Sequence, residues 1–239
     1  MRRLLVLFVA LFALALVSLG LVDSASARAP DTFEEAYVKP VLIESPMWLA
    51  FELKVGPYKP GLSHGSKQVF DQTFGSKSGW MLNLELDITL YHIPYVGQLN
   101  VGASWGWVNY SAKAFDDTGA RSGETTSFTL YPLGALAVLR IDALARNTVI
   151  PLTFAGKVGP EWVRWKSDTG TRTDASGFNA GVRFGAQAAF ELDYFDANTA
   201  RRLDEDYGVN HTFLLFEYYE SSTRGTGART FQMGLGLQY

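Results

Sequence analysis

The chain contains no cysteine. That excludes a disulfide framework, a thiol nucleophile, a cysteine zinc site and lipid attachment through an N-terminal cysteine. It has three histidines, His64, His92 and His211, so there is little material for imidazole catalysis or imidazole metal ligation. Charged residues make up 19% of the chain, and the formal net charge of -3 is spread without long basic or acidic runs, so no nucleic-acid partner is indicated. Long hydrophobic runs are missing too, with one exception. Arg2 and Arg3 precede an apolar stretch from Leu4 to about Val22, followed by Ala25-Ser26-Ala27, the small-x-small pattern that a signal peptidase reads. Residues 1–27 are therefore expected to be a signal peptide of the general secretory pathway, leaving a mildly acidic exported chain.

What the sequence has in quantity is apolar and aromatic side chains, 47% and 14% of 239 residues, together with 23 glycines. That is enough for one large domain. Residues 28–45 are polar and proline-bearing and read as a periplasmic lead-in. Residues 46–239 read as a succession of alternating segments. In the second, Leu82, Leu84, Leu86, Ile88 and Leu90 share one parity, while Asn83, Glu85, Asp87 and Thr89 share the other. The sixth is as regular, with Phe178, Val182, Phe184 and Phe190 against Asn179, Arg183, Gln187 and Glu191. Strict alternation of this kind is the mark of a strand with two different faces. Similar segments begin near Trp48, Gln98, Thr126, Val149, Val209 and Arg229, about eight strands in all, each long enough to cross a bilayer when tilted. The fourth and seventh are the hardest to phase. Only Asn198 to Tyr207 looks helical.

Period two does not say which face meets water. Three features point the oily face outward. The polar faces carry Gly, Ala, Ser, Asn and Gln rather than mostly Lys and Glu, as a crowded lumen requires. Aromatic residues gather near strand ends, and Trp48, Tyr58, Trp80, Tyr91, Trp105, Trp107, Trp162 and Trp165 are expected to form girdles at the two membrane interfaces. The last segment alternates Phe231, Met233, Leu235, Leu237 and Tyr239 with polar or small residues, similar to the C-terminal signal that the barrel-assembly machinery reads on bacterial outer-membrane barrels. The expected fold is an all-β, transmembrane, antiparallel up-and-down β-barrel of about eight strands. The longer loops, about 59–79, 111–125, 167–176 and 222–228, would lie outside.

An eight-stranded barrel is just wide enough for side chains to fill. The inward parity then assigns Glu52, Lys54, Glu85, Asp87, Lys157, Glu161, Arg183, Glu191 and Glu217 to a lumen charge network. Arg183 and Lys157 are expected to bridge Glu85, Asp87 and Glu161. No catalytic residue, metal ligand or cofactor is predicted. His64 with Ser63 and Ser66 is the one external cluster of the Ser/His type, Asp116-Asp117 and Asp168 belong to turns rather than calcium loops, and His211 reads as structural.

The segments Leu192-Asp193-Tyr194-Phe195-Asp196, Leu203 to Phe213 and Phe216-Glu217-Tyr218 resemble a poorly characterised family of outer-membrane β-barrel proteins of myxobacteria and their relatives, as do Pro57-Tyr58-Lys59-Pro60 and the Gly75 to Leu90 region. The resemblance implies a small barrel of the OmpA/OmpX type in a Gram-negative outer membrane, and no reaction. The expected role is structural or interactive and non-enzymatic, with outer-membrane lipid as solvent, the assembly machinery as a biogenesis partner and envelope proteins as partners through the loops. A narrow channel is the alternative. A lipid-modifying enzyme and a soluble periplasmic lipid carrier complete the set.

Overall fold

The computed structural model describes residues 47–62, 64–75, 78–115, 120–170 and 172–239. The predicted signal peptide and lead-in fall outside the described residues, as do Ser63, the side chain of His64, and Asp116-Asp117. Eight antiparallel strands close into one up-and-down barrel in sequence order. They are β1 (Leu49–Tyr58), β2 (Gly79–Ile93), β3 (Gly97–Phe115), β4 (Arg121–Ile141), β5 (Leu152–Thr169), β6 (Arg172–Glu191), β7 (His211–Ser221) and β8 (Arg229–Gln238). Closure is made by β1 on β8, with Ala50 opposite Gln238 and Val55 opposite Met233. The seam is extended at one end by Tyr239, whose carbonyl accepts from Trp48 N–H and whose N–H donates to Leu49 O, each at 2.7 Å.

The alternation sorts the two faces. Along β2 the even residues are partly or fully exposed, 72% at Trp80 and 64% at Leu90, while Asn83, Glu85 and Asp87 are at most 2% exposed. The outward face of the other strands is likewise apolar, with Phe51, Val101, Leu133, Val158, Phe184, Phe216 and Leu235 exposed. From Trp80 to Leu90 the outward face of β2 runs ten residue steps. At ~3.3 Å per step and a tilt near ~40° that is about 25 Å of height, the thickness of a bilayer's apolar layer. A soluble lipid carrier needs the opposite arrangement, with its apolar residues lining the cavity.

One end of the barrel extends beyond this band: β3 and β4 run on to Phe115 and Arg121, and β5 and β6 to Thr169 and Arg172. At the same end the β1–β2 loop forms a helix, α1 (His64–Phe74), which the sequence reading did not anticipate. Its apolar content is small, yet Phe70 is 5% exposed because it drops into the barrel mouth against Tyr110, ring centroids 4.9 Å apart. At the other end lie the turn after β2, a short helix α2 (Ala143–Asn147), a 3-10 turn (Leu192–Tyr194) and a helix α3 (Ala197–Tyr207). α3 is the helix that the sequence announces. Asp196 caps its start by accepting from Asn198 and Thr199 N–H, and Gly208 ends it in the left-handed conformation at φ 70°.

Two of the expected girdle residues lie inside. Tyr58 shares parity with Glu52 and Lys54 and is fully buried, and Trp165 shares parity with Lys157 and Glu161 and packs on Phe128 at 6.1 Å. Trp48, Trp80, Tyr91, Trp105, Trp107 and Trp162 are exposed on the outer wall.

Candidate functional site

The lumen is the candidate site, and it is layered. At mid-height the side chains of six strands converge on a charge cluster. Lys54 Nζ lies 2.8 Å from Glu52 and 2.9 Å from Glu85, and it also contacts Glu217. Lys157 Nζ sits 2.6 Å from Glu52 and 3.3 Å from Glu217, and it contacts Glu85 as well. Arg183 adds a fork: one guanidinium nitrogen lies 3.1 Å from Glu85 and 2.7 Å from Glu217, while another donates to Ser104 Oγ at 2.8 Å. Arg140 reaches Glu52 at 3.0 Å and Asp87 at 3.7 Å, and Gln187 donates to Glu52 at 3.1 Å. Lys54, Lys157, Arg183 and Arg140 thus face Glu52, Glu85, Glu217 and Asp87, and the formal charges cancel.

Such a cluster survives burial because the lysines, arginines and glutamates each have two or three partners of opposite sign; a buried charge left alone would cost several kcal/mol. Asp87 departs from the expected bridge to Arg183 or Lys157: its one ion-pair partner among the described residues is Arg140, and neither carboxylate oxygen accepts a hydrogen bond. The chain makes room for it with glycine. At Gly102, opposite Asp87, an added Cβ would lie 2.0 Å from Asp87 Oδ1. Oxygens of Glu52, Glu85 and Glu217 all fall within 4.8 Å of one another, a spacing that could chelate a metal ion. The two ammonium groups, each touching all three carboxylates, already hold that position.

Glu161 lies in the layer above and departs from the expected bridge to Arg183 or Lys157. Its carboxylate accepts from three hydroxyls: Tyr219 at 2.5 Å, Thr223 at 3.1 Å and Ser221. Tyr219 also carries the Arg183 guanidinium over its ring, 4.9 Å from the centroid. Thr223 and Thr226 belong to the β7–β8 loop, which folds into the mouth; Tyr58 donates to Thr226 O at 2.6 Å. Gly181 in β6 leaves space for that loop, since an added Cβ would stand 2.5 Å from Thr223 Cα. Tyr58, Phe70, Met81, Tyr110, Leu130 and Val163 close the mouth as an apolar layer.

Below the charge cluster the lumen turns to amides and hydroxyls. Gln238 donates to Gln98 at 2.9 Å, and Thr89 and Asn100 are buried beside them. Glu191 belongs to this end rather than to the central cluster, paired with Arg146 of α2. His211 Nδ1 lies 2.9 Å from Asp193, whose carboxylate also accepts from the Thr212 hydroxyl at 2.7 Å. Burial pushes the Asp193 pKa up, but the hydrogen bonds from His211 and Thr212 outweigh it, and the carboxyl is held below its usual value. His92 is exposed, and Asp168 is paired with Lys166 at 2.9 Å.

Arg140 was the charged member absent from the sequence-based set. Its strand is apolar on both faces, so the polar residues did not fix the phase. The outward series Leu133, Ala135, Ala137 and Leu139 places it inward all the same.

Barrel and lumen together define the class: an inside-out, membrane-embedded β-barrel of the outer-membrane type, apolar toward its surroundings and charged within. No family model and no curated protein matches the chain. Among solved structures it is similar to the attachment invasion locus protein Ail of Yersinia pestis, in complex with the heparin analogue sucrose octasulfate, at 13% identity over 82% of this chain and 100% of that one, with a TM-score of 0.45. It is also similar to the N-terminal β-barrel domain of Pseudomonas aeruginosa OprF, at 10% identity over 81% and 100% of the two chains, TM-score 0.42. A major outer membrane protein of Thermus thermophilus is similar at 12% identity over 80% and 99%, TM-score 0.36. At these identities the likeness is one of barrel architecture.

Proposed function

We propose that this chain is a closed-lumen barrel of the Gram-negative outer membrane with a structural or interaction role and no reaction of its own. The end bearing α1 and the long β3–β4 and β5–β6 extensions faces the cell surface, and the end bearing α2 and α3 faces the periplasm. The observation that carries the reading is the mid-lumen cluster. Eight buried charged groups and the aromatic layer above them fill the cross-section that a pore would need. Function then belongs to the outer surfaces: the wall in contact with lipid and the loops available to envelope partners. Phe231, Met233, Leu235 and Leu237 of β8, with Tyr239 beside it, belong to the strand that closes the barrel on β1, and that position supports a role for them in barrel assembly. The resemblance of residues 192–196, 203–213 and 216–218 to the myxobacterial barrel family is in keeping with this location.

Planar-bilayer recording of the refolded protein tests the closed lumen. The expected result is a folded, inserted protein without steady conductance. Regular single-channel steps in wild-type protein would favour the narrow channel instead.

A further inference from the structure

On the surface-facing half of the outer wall, the apolar band ends along a sequence of rows that β4, β5 and β6 share. Leu133, Trp162 and Ala180 form the last wholly apolar row. Two residues higher, Tyr131, Arg164 and Phe178 stand side by side, and above them come Thr129, Lys166 and Ser176. Arg164 is therefore a cation on the outward face, flanked in register by Tyr131 and Phe178, in the row where aromatic residues meet headgroups. It is exposed and makes no ion pair among the described residues. The contrast is Arg229, which also lies on the outward parity of its strand but is neutralised by Glu220 at 2.8 Å. Lys166 adds a second positive charge on the same face, shared with Asp168.

An unpaired guanidinium at the edge of a hydrocarbon layer is stable there if an anion of the lipid meets it. Phosphate is the anion whose geometry a guanidinium fork matches, and Arg tolerates aromatic neighbours because it is weakly hydrated. We infer that Arg164, below the Lys166–Asp168 pair, binds a phosphate group of a phosphorylated glycolipid in the outer leaflet, its acyl chains lying on the Trp162 row below. The inference rests on the surface-facing orientation proposed above.

The test is native mass spectrometry of the full, detergent-folded barrel incubated with a diphosphorylated glucosamine-disaccharide lipid, its dephosphorylated form, or phosphatidylglycerol. Wild-type protein is expected to retain the phosphorylated glycolipid in preference to both others. A cation at a lipid surface strengthens binding by about fivefold, so Arg164→Ala should weaken retention by about that factor, and adding Lys166→Ala, whose charge Asp168 already offsets, should deepen the loss only slightly. Arg229→Ala should leave it unchanged. Equal retention of the dephosphorylated lipid, equal retention of phosphatidylglycerol, or an unaffected double variant would each overturn the inference. Both substitutions lie on the outer wall, and unboiled gel mobility verifies that the variants fold. If wild-type protein shows no heat-sensitive mobility, the membrane-barrel reading itself fails; if it does and the lipid preference is absent, only this inference does.

Discussion

Lys157→Met puts the charge cluster under the most direct strain. The substitution keeps most of the side-chain volume, so little of its effect comes from a cavity. What it removes is an ammonium group within ion-pair distance of Glu52, Glu85 and Glu217 at once, leaving those three carboxylates to Lys54, Arg183 and Arg140. Removing one partner of a buried ion pair costs about 3–5 kcal/mol, chiefly because the opposite charge stays buried without compensation. Urea titration in phospholipid vesicles, followed by tryptophan fluorescence, should show a loss in this range. The double variant Lys157→Met with Glu85→Gln restores the charge balance and should recover about 1–3 kcal/mol of it, the coupling expected for groups in contact. A loss below about 1 kcal/mol, or a double variant no more stable than the single, would refute the view that mutual compensation holds this lumen together.

Further outcomes follow from other contacts. Arg183→Ala withdraws the fork between Glu85 and Glu217 and the cation over Tyr219; it should lower the temperature at which the folded gel band disappears and introduce measurable conductance. Gly102→Ala forces a methyl group onto Asp87 Oδ1 and should destabilise by about 1–3 kcal/mol in the same urea assay, as overpacking does. The Asp193 carboxyl is held below its usual value, so its contribution is complete above the unfolded-state pKa of about 4 and is lost as pH falls through the lower folded value. Asp193→Asn should accordingly reduce stability at pH 7 and flatten its fall below about pH 4. Deleting Tyr239 removes its backbone bonds with Trp48 and Leu49 at the seam, and pulse-labelled assembly in cells should slow.

Most of the barrel could be read because period-two alternation fixes the facing of a whole strand from a few residues. Leu82 to Leu90 placed Asn83, Glu85 and Asp87 in the lumen, and Phe178 to Phe190 did the same for Arg183 and Gln187. The aromatic assignments failed where nearness to a strand end was given more weight than parity. Tyr58 and Trp165 stand near ends, but each shares a face with charged residues, and parity alone would have turned them inward. Arg140 was hidden because Leu136 and Val138, its same-face neighbours, are as apolar as the wall. α1 was missed for a different reason. A helix with Val69 exposed and only Phe70 and Phe74 as apolar anchors has no clear amphipathic period of its own. It depends on the mouth formed by Tyr110 and Phe128, which the local sequence does not contain. The hydroxyl cage around Glu161 likewise depends on a loop folding back through space, with Thr223 meeting β5 from 62 positions away.

The central claim is a closed barrel whose Leu82 to Leu90 face lies in lipid. The measurement that reaches it most directly is gel mobility of unboiled against boiled protein from the fractionated cell envelope. A heat-dependent shift, with the protein in the outer-membrane fraction, is the predicted result. Protein recovered from the soluble periplasm with one mobility, boiled or not, would contradict it.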